Sequence, residues 1–208
     1  MATTTLLLYL LASFAVFVTP GPTTLLALSN GTKRDWRIAA MGILGAALSD
    51  LILIGAVAVG LGALLAASEA MFTLVKWLGV GYLLWLAVQL WRSSPKSIND
   101  SAPPGDTSPQ KAFLRSLGVA LSNPKGLLFF SAFLPQFIDV TQPQAVQYLI
   151  LAVTSALLDA SIMTVYAFGG SQAAKYLTAA GMRRLNRSCA VVMASLAGFL
   201  VFYRRADA

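Results

Sequence analysis

Long apolar stretches separated by short polar links make up most of this chain. Apolar runs of about eighteen residues or more are typical of helices that cross a membrane. The sequence predicts six such segments, at about Leu6–Ser29, Ile38–Ala66, Met71–Trp91, Phe113–Phe137, Ala145–Gly170 and Ser188–Tyr203. The pattern therefore predicts an all-α membrane protein with six transmembrane helices.

Two of these segments, the first and the fourth, are interrupted by prolines and polar residues. Proline leaves a backbone carbonyl without its helical donor, and a charge near the bilayer centre costs roughly 2.5–3.5 kcal/mol. Such groups are tolerated where they line a polar cavity or find protein partners. The two breaks therefore predict a substrate-binding site formed by Pro20, Gly21, Pro22, Thr23, Asn123, Pro124 and Lys125.

The order of the segments predicts an internal repeat. A linker at residues 93–111, rich in proline and polar residues, separates a first half (1–92) from a second half (112–208). The proline breaks of segments one and four correspond, and Asp50 of segment two corresponds to Asp159 of segment five. Because each half has three spans, the halves must have opposite orientations. We therefore predict two inverted three-helix repeats with broken helices 1 and 4.

The ends of a broken helix offer free N–H groups to a carboxylate and free carbonyls to an ammonium. This arrangement suits a zwitterionic substrate. Lys125 either adds positive charge for the carboxylate or neutralises an aspartate while the site is empty. For Asp50 and Asp159 two interpretations stay open. Each is held by a basic side chain or by backbone and stabilises the bundle, or each serves proton or ion coupling, as intramembrane acids often do.

Composition and charge agree with this interpretation. Hydrophobic residues make up 57% of the chain and charged residues 11%, against about 25% charged in soluble domains. The net charge of +7 is concentrated in short links, so it indicates topology rather than a nucleic-acid partner. The basic links follow segments one, three and five, which predicts that they are cytoplasmic and that both termini lie outside. The tail residues Arg204 and Arg205 argue mildly against this orientation.

Three stretches carry a family resemblance. They are Pro20-Gly21-Pro22, the run Gly79–Leu86, and the run Leu121–Phe130 continued by Phe133–Phe137. In this order and at these separations they resemble the LysE/RhtB family of bacterial amino-acid exporters over nearly the whole chain. The resemblance implies a six-helix, proton-driven exporter in the bacterial inner membrane and a homodimer. It also places Asp50 at an often polar position of the second helix.

One departure from the family pattern bears on the substrate. Many members have Asn or Asp directly after Pro-Gly-Pro, whereas this chain has Thr23. A hydroxyl is a weaker ligand for an amine than a carboxylate. We therefore expect small neutral amino acids, such as threonine or homoserine, to be exported by proton-coupled antiport with alternating access.

Other functional classes are less well supported by the sequence. An intramembrane enzyme is disfavoured because the chain has no histidine and no nucleophile with a plausible base. With the single cysteine Cys189, the chain has no Cys/His zinc site, and we predict no metal and no cofactor. A metal or other inorganic-ion exporter, or an exporter of another small metabolite, remains the alternative. Such an ion exporter should carry acids, histidines or cysteines clustered in the spans, whereas the spans hold two separated aspartates.

Overall fold

The computed structural model describes residues 3–33, 35–67, 69–92, 105–176 and 179–202. Helices make up most of this part of the chain, which contains no strand. Its α-helices are α1 (Thr3–Val18), α2 (Pro22–Gly31), α3 (Trp36–Ala67), α4 (Glu69–Arg92), α5 (Pro109–Leu121), α6 (Pro124–Leu128), α7 (Gln144–Tyr176) and α8 (Ala179–Phe202). Between α6 and α7 the chain continues through a π-helical turn, Phe129–Phe133, and a 3₁₀ turn, Leu134–Phe137.

Membrane-spanning helices are present in the described residues. Trp36–Gly60 within α3 and Gln144–Gly169 within α7 are long and apolar enough to cross a membrane, with mean hydropathies of 2.2 and 1.8. By length and composition the number of spans rises to four when each bent helix pair is counted as one span. The structure thus confirms a helical membrane protein. The arrangement of six spans in two inverted repeats stays a prediction.

Both predicted breaks are present. The axes of α1 and α2 meet at 64°, and α5 meets the segment Lys125–Phe137 at 53°. In each case a proline opens the second helix: Pro22 follows the N-cap Gly21, and Pro124 follows the N-cap Asn123. Proline suits this position because the first N–H of a helix has no intrahelical partner. The bends therefore follow from local sequence.

The same order of helices occurs in each half of the chain. A bent pair is followed by a long helix, of 32 residues in α3 and 33 in α7. A helix of 24 residues then follows, which is α4 in the first half and α8 in the second. This order is what an internal repeat predicts.

Some predicted boundaries differ from the structure. The sixth segment was expected to begin at Ser188, but α8 begins at Ala179, so Arg183, Arg184 and Arg187 lie in helical turns rather than in a loop. Arginine is a good helix former, and no proline interrupts this stretch. Within the predicted linker, α5 already begins at Pro109, while residues 93–104 lie outside the described part of the chain.

The α2/α5 end of the bundle is packed through small residues. A Cβ atom on Gly31 would overlap the backbone carbonyl of Ala167 in α7, and one on Gly45 of α3 would overlap that of Phe113 in α5. Small residues allow such close approach of helices in membranes. A separate buried cluster fills this end, made of Ala27, Ala39, Ile43, Ala46, Ala120, Met163 and Ala167.

The α1 end is packed through aromatic side chains instead. Phe133 and Phe137 meet edge to face with centroids 4.8 Å apart, and Tyr9 meets Phe137 at 5.2 Å. The Tyr9 hydroxyl also forms a hydrogen bond with the Ser155 hydroxyl of α7. The π-helical and 3₁₀ turns lie in this aromatic region, and π-turns often occur at functional sites. The two ends of the bundle therefore differ in how they are closed.

Candidate functional site

Lys125 joins the two helix breaks. Its Nζ atom donates hydrogen bonds to the carbonyl oxygens of Val16 and Thr19, both at 2.9 Å. The Val16 carbonyl would bond to the N–H of residue 20 in a continuous helix, but Pro20 has no N–H. The last carbonyls of a helix carry partial negative charge. The lysine of the second half thus occupies a cation site made by the first half.

A tyrosine satisfies the second carbonyl that the prolines release. The helical partner of the Val18 carbonyl would be the N–H of residue 22, which is Pro22. The Tyr166 hydroxyl of α7 donates to this carbonyl at 2.8 Å. At the other break, the Tyr82 hydroxyl of α4 donates to the Lys125 carbonyl at 3.0 Å. Each break is therefore held by a tyrosine from the other half of the chain.

A small polar cavity lies between the breaks. About 30 Å³ is open to the centre of a water molecule, which is room for roughly two waters. The predicted residues Thr23, Asp50, Asn123, Lys125 and Asp159 all line it, together with Val16, Phe17, Ser49, Leu53, Ala120, Gly126 and Phe130. The structure therefore brings these five predicted residues to one place.

The remaining predicted residues act through the backbone. Pro20 and Pro22 lie outside the described cavity lining and remove the helical donors of the Val16 and Val18 carbonyls. Gly21 lies against the lysine, since a Cβ atom there would sit 3.5 Å from Lys125 Nζ. Pro124 occupies the first position of α6. These positions shape the break rather than present polar side chains.

The helices that follow the two breaks, α2 and α6, are capped at their N-termini by nearby side chains. The Gly21 N–H donates to the Thr24 hydroxyl at 2.7 Å, and that hydroxyl donates back to the Gly21 carbonyl at 3.0 Å. Thr24 therefore caps α2, which leaves Thr23 to face the cavity. At the second break, the Asn123 side-chain oxygen accepts from the Lys125 N–H at 3.1 Å.

Asp50 on α3 and Asp159 on α7 approach the cavity from opposite halves. Each is only 7% exposed. The Oδ2 atom of Asp50 has no hydrogen-bond partner in the described part of the chain. Lys125 interacts electrostatically with both aspartates, yet no ion pair joins it directly to either one among the described residues. Within the described part of the chain, neither acid is therefore neutralised by direct contact with a basic side chain.

Several residues of the site were missed by the sequence analysis. The Val16 and Thr19 carbonyls were not named, although the rule that residue i bonds to i+4 identifies Val16 once Pro20 is noticed. Ser49, buried and bonded to the Ala46 carbonyl, lies beside Asp50. Tyr82 and Tyr166 gave no signal, because they contact residues 43 and 148 positions away.

Two broken helices that meet at a buried polar cavity, in a protein with membrane-spanning helices, are typical of secondary transporters. Residues 14–204 match the family model described as LysE type translocator. Because this match covers most of the chain, the protein belongs to the LysE type translocator family.

Curated relatives match over most of their length. The chain is 36% identical over 188 residues to an uncharacterized membrane protein of Vibrio cholerae serotype O1, covering 87% of this chain and 88% of that protein. It is 36% identical over 181 residues to a homoserine/homoserine lactone efflux protein of Salmonella typhi, covering 86% and 87%. It is 33% identical over 172 residues to a leucine efflux protein of Enterobacter sp. (strain 638), covering 81% of each. No solved structure matches this chain.

Proposed function

We propose that this protein exports small neutral amino acids, such as threonine or homoserine, from the cytoplasm across the bacterial inner membrane. The observation that carries the proposal is the polar cavity between the two helix breaks, where a lysine occupies the carbonyls of a helix end. Membership of the LysE type translocator family supports it. Relatives named for homoserine and for leucine efflux support the substrate class.

The site offers a place for each charge of an amino acid. In our proposal the substrate ammonium replaces Lys125 Nζ at the Val16 and Thr19 carbonyls. The displaced lysine then pairs with the substrate carboxylate, which also faces the first N–H groups of α2, since these have no acceptor within the helix. The empty and loaded states both keep these carbonyls satisfied, because one cation replaces the other.

The remaining lining favours a neutral side chain. Phe17, Leu53 and Phe130 present apolar surface to the cavity, while Thr23 contributes a hydroxyl rather than a carboxylate. In our proposal Asp50 and Asp159 of the lining serve proton coupling, so a second positive charge on the substrate would meet Lys125 without a carboxylate at position 23 to pair with. A small apolar or hydroxylated side chain therefore fits best.

Transport requires the cavity to open. The cavity has room for roughly two waters, which is too little for an amino acid. We therefore infer that the site is closed in this conformation. We propose alternating access, in which the glycine-packed α2/α5 end and the aromatic α1 end open in turn. Inverted repeats permit such exchange because the two ends are built from related elements.

Coupling to the proton gradient is assigned to Asp50 and Asp159. A buried acid such as Asp50, whose Oδ2 atom has no hydrogen-bond partner among the described residues, can take up and release a proton as the site opens to either side. We further propose that both termini lie outside and that the protein forms a homodimer in the lipid bilayer. These proposals rest on the basic links and on the family.

The decisive test is efflux from membrane vesicles preloaded with labelled amino acids. We expect threonine or homoserine to leave faster when the protein is present and a proton gradient is imposed, and we expect lysine release to be unchanged. Vesicles containing the double variant Asp50→Asn/Lys125→Ala serve as the control. Release of none of the twenty amino acids, combined with raised metal tolerance in cells, would favour the inorganic-ion alternative.

A further inference from the structure

A groove on the outside of the bundle, between α4 and α8, is not used by the transport site. Its volume is about 400 Å³, within the usual range of roughly 300–1,000 Å³ for small-molecule sites. Apart from Arg92 at one end, its described lining is apolar: Leu84, Ala87, Val88, Trp91, Ala190, Val191 and Ala194. A groove of this composition suits a hydrocarbon chain.

The end of the groove beside Arg92 is strongly basic. The Arg187 guanidinium lies over the Trp91 ring, 5.3 Å from its centroid, which is a cation–π arrangement. Arg184 and Arg187 share a helix face with the groove residue Val191, because they are spaced by three and four residues. The helix α8 carries no acid, and the one acid of α4 is Glu69 at its opposite end. An apolar groove therefore ends under a concentrated positive charge.

We propose that this groove binds an anionic phospholipid. One acyl chain lies between α4 and α8, and the phosphate contacts Arg92 and Arg187. The proposal rests on the six-span arrangement, which places both helices in the bilayer. Basic pockets at the ends of neighbouring membrane helices are known to hold anionic head groups.

A second copy of the chain fits this groove less well. Two copies in one membrane share an orientation, so a two-fold interface here would bring the arginines of both copies to the same depth. Like charges facing each other across an interface disfavour association. A phosphate instead carries the negative charge that Arg92 and Arg187 need as a partner. Among the described residues of α4 and α8, no acid lies at this end of the groove.

Trp91 provides a local probe for the experiment. A variant with Trp36, Trp77 and Trp85 changed to Phe is placed in phosphatidylcholine vesicles. One sample then receives phosphatidylglycerol with brominated chains, and a parallel sample receives phosphatidylcholine with brominated chains at the same mole fraction. We expect brominated phosphatidylglycerol to quench Trp91 more strongly, with enrichment at the groove of about fivefold for each arginine engaged.

Arginine variants test the head-group contact. In the double variant Arg92→Gln/Arg187→Gln, both brominated lipids should quench Trp91 equally. In the control Arg37→Gln, which changes an exposed arginine at the start of α3, phosphatidylglycerol should still quench Trp91 more strongly. Native mass spectrometry of the unaltered chain should likewise retain phosphatidylglycerol over phosphatidylcholine. Equal quenching before the arginines are changed overturns the proposal. The proposal is also overturned if neither lipid quenches Trp91 and the variant Val88→Cys forms cross-linked dimers, because a second copy of the chain then covers the groove. Neither readout requires amino-acid efflux, so this proposal and the proposed function can fail separately.

Discussion

At the scale of single residues, Lys125 shows how a charge can lie inside a membrane bundle. Pro20 deprives the Val16 carbonyl of its helical donor, and the lysine supplies a donor in its place. The sequence analysis left two roles open, a partner for the substrate carboxylate and a counter-ion for an aspartate. The observed contacts add a third, since Lys125 Nζ binds the carbonyls that a substrate ammonium would need.

The first prediction concerns Lys125→Ala. The variant loses the proposed partner of the substrate carboxylate, and hydrogen bonds to charged groups contribute about 1.5–3 kcal/mol. We therefore expect the half-saturation concentration for efflux to rise by about one to two orders of magnitude. Lys111→Ala, at an exposed lysine of α5, is the matched control. Unchanged half-saturation in Lys125→Ala would leave this lysine with a structural role alone.

The second prediction concerns Asp50→Asn. The amide keeps the shape of the side chain but cannot exchange a proton, so we expect proton-driven efflux to fall by about an order of magnitude or more. Exchange of external for internal amino acid, which needs no proton, should persist. Gel filtration checks that the variant is folded. Efflux at the normal rate would remove Asp50 from the coupling mechanism.

At the scale of helices, the sequence predicted what depends on neighbouring residues. Proline and glycine act on the next turn of backbone, so both breaks and their positions could be anticipated. Thr24, rather than Thr23, caps α2 because it lies three residues after the N-cap Gly21, where a side chain reaches back to the N-cap N–H. The tyrosine contacts of the breaks depend on how distant helices pack, and no local pattern reports that.

The third prediction compares two glycines of α3. A Cβ atom on Gly45 would overlap the Phe113 carbonyl, whereas one on Gly55 would meet no neighbouring side chain or helix of the described residues within 4 Å. Overpacking typically costs about 1–3 kcal/mol, so Gly45→Ala should lower the melting temperature. Gly55→Ala should leave it unchanged or raise it, because alanine favours helix by up to about 1 kcal/mol. If Gly45→Ala and Gly55→Ala had the same melting temperature, close packing of α3 on α5 at Gly45 would be wrong.

At the scale of the whole molecule, the candidate site needs both halves of the chain. The carbonyls come from the end of α1 and from Thr19 directly after it, the lysine from α6, and the two aspartates from α3 and α7. Movement of one half against the other would therefore change the contacts of Lys125 with the carbonyls and the separation of the two aspartates together. This is the property that alternating access requires, and it depends on the two halves having opposite orientations.

The last prediction tests that orientation by labelling single cysteines from outside the cell. The natural cysteine, Cys189, is buried and is first replaced by serine. Cysteines are then introduced at the exposed positions Thr4, Lys111 and Thr141. Three spans between positions 4 and 111 put these positions on opposite sides, and four spans between positions 4 and 141 return to the first side. We expect a membrane-impermeant reagent to label Thr4→Cys and Thr141→Cys in intact cells, and Lys111→Cys only after permeabilisation. If positions 4 and 111 label from the same side, the first half has an even number of spans, and the inverted repeat is wrong.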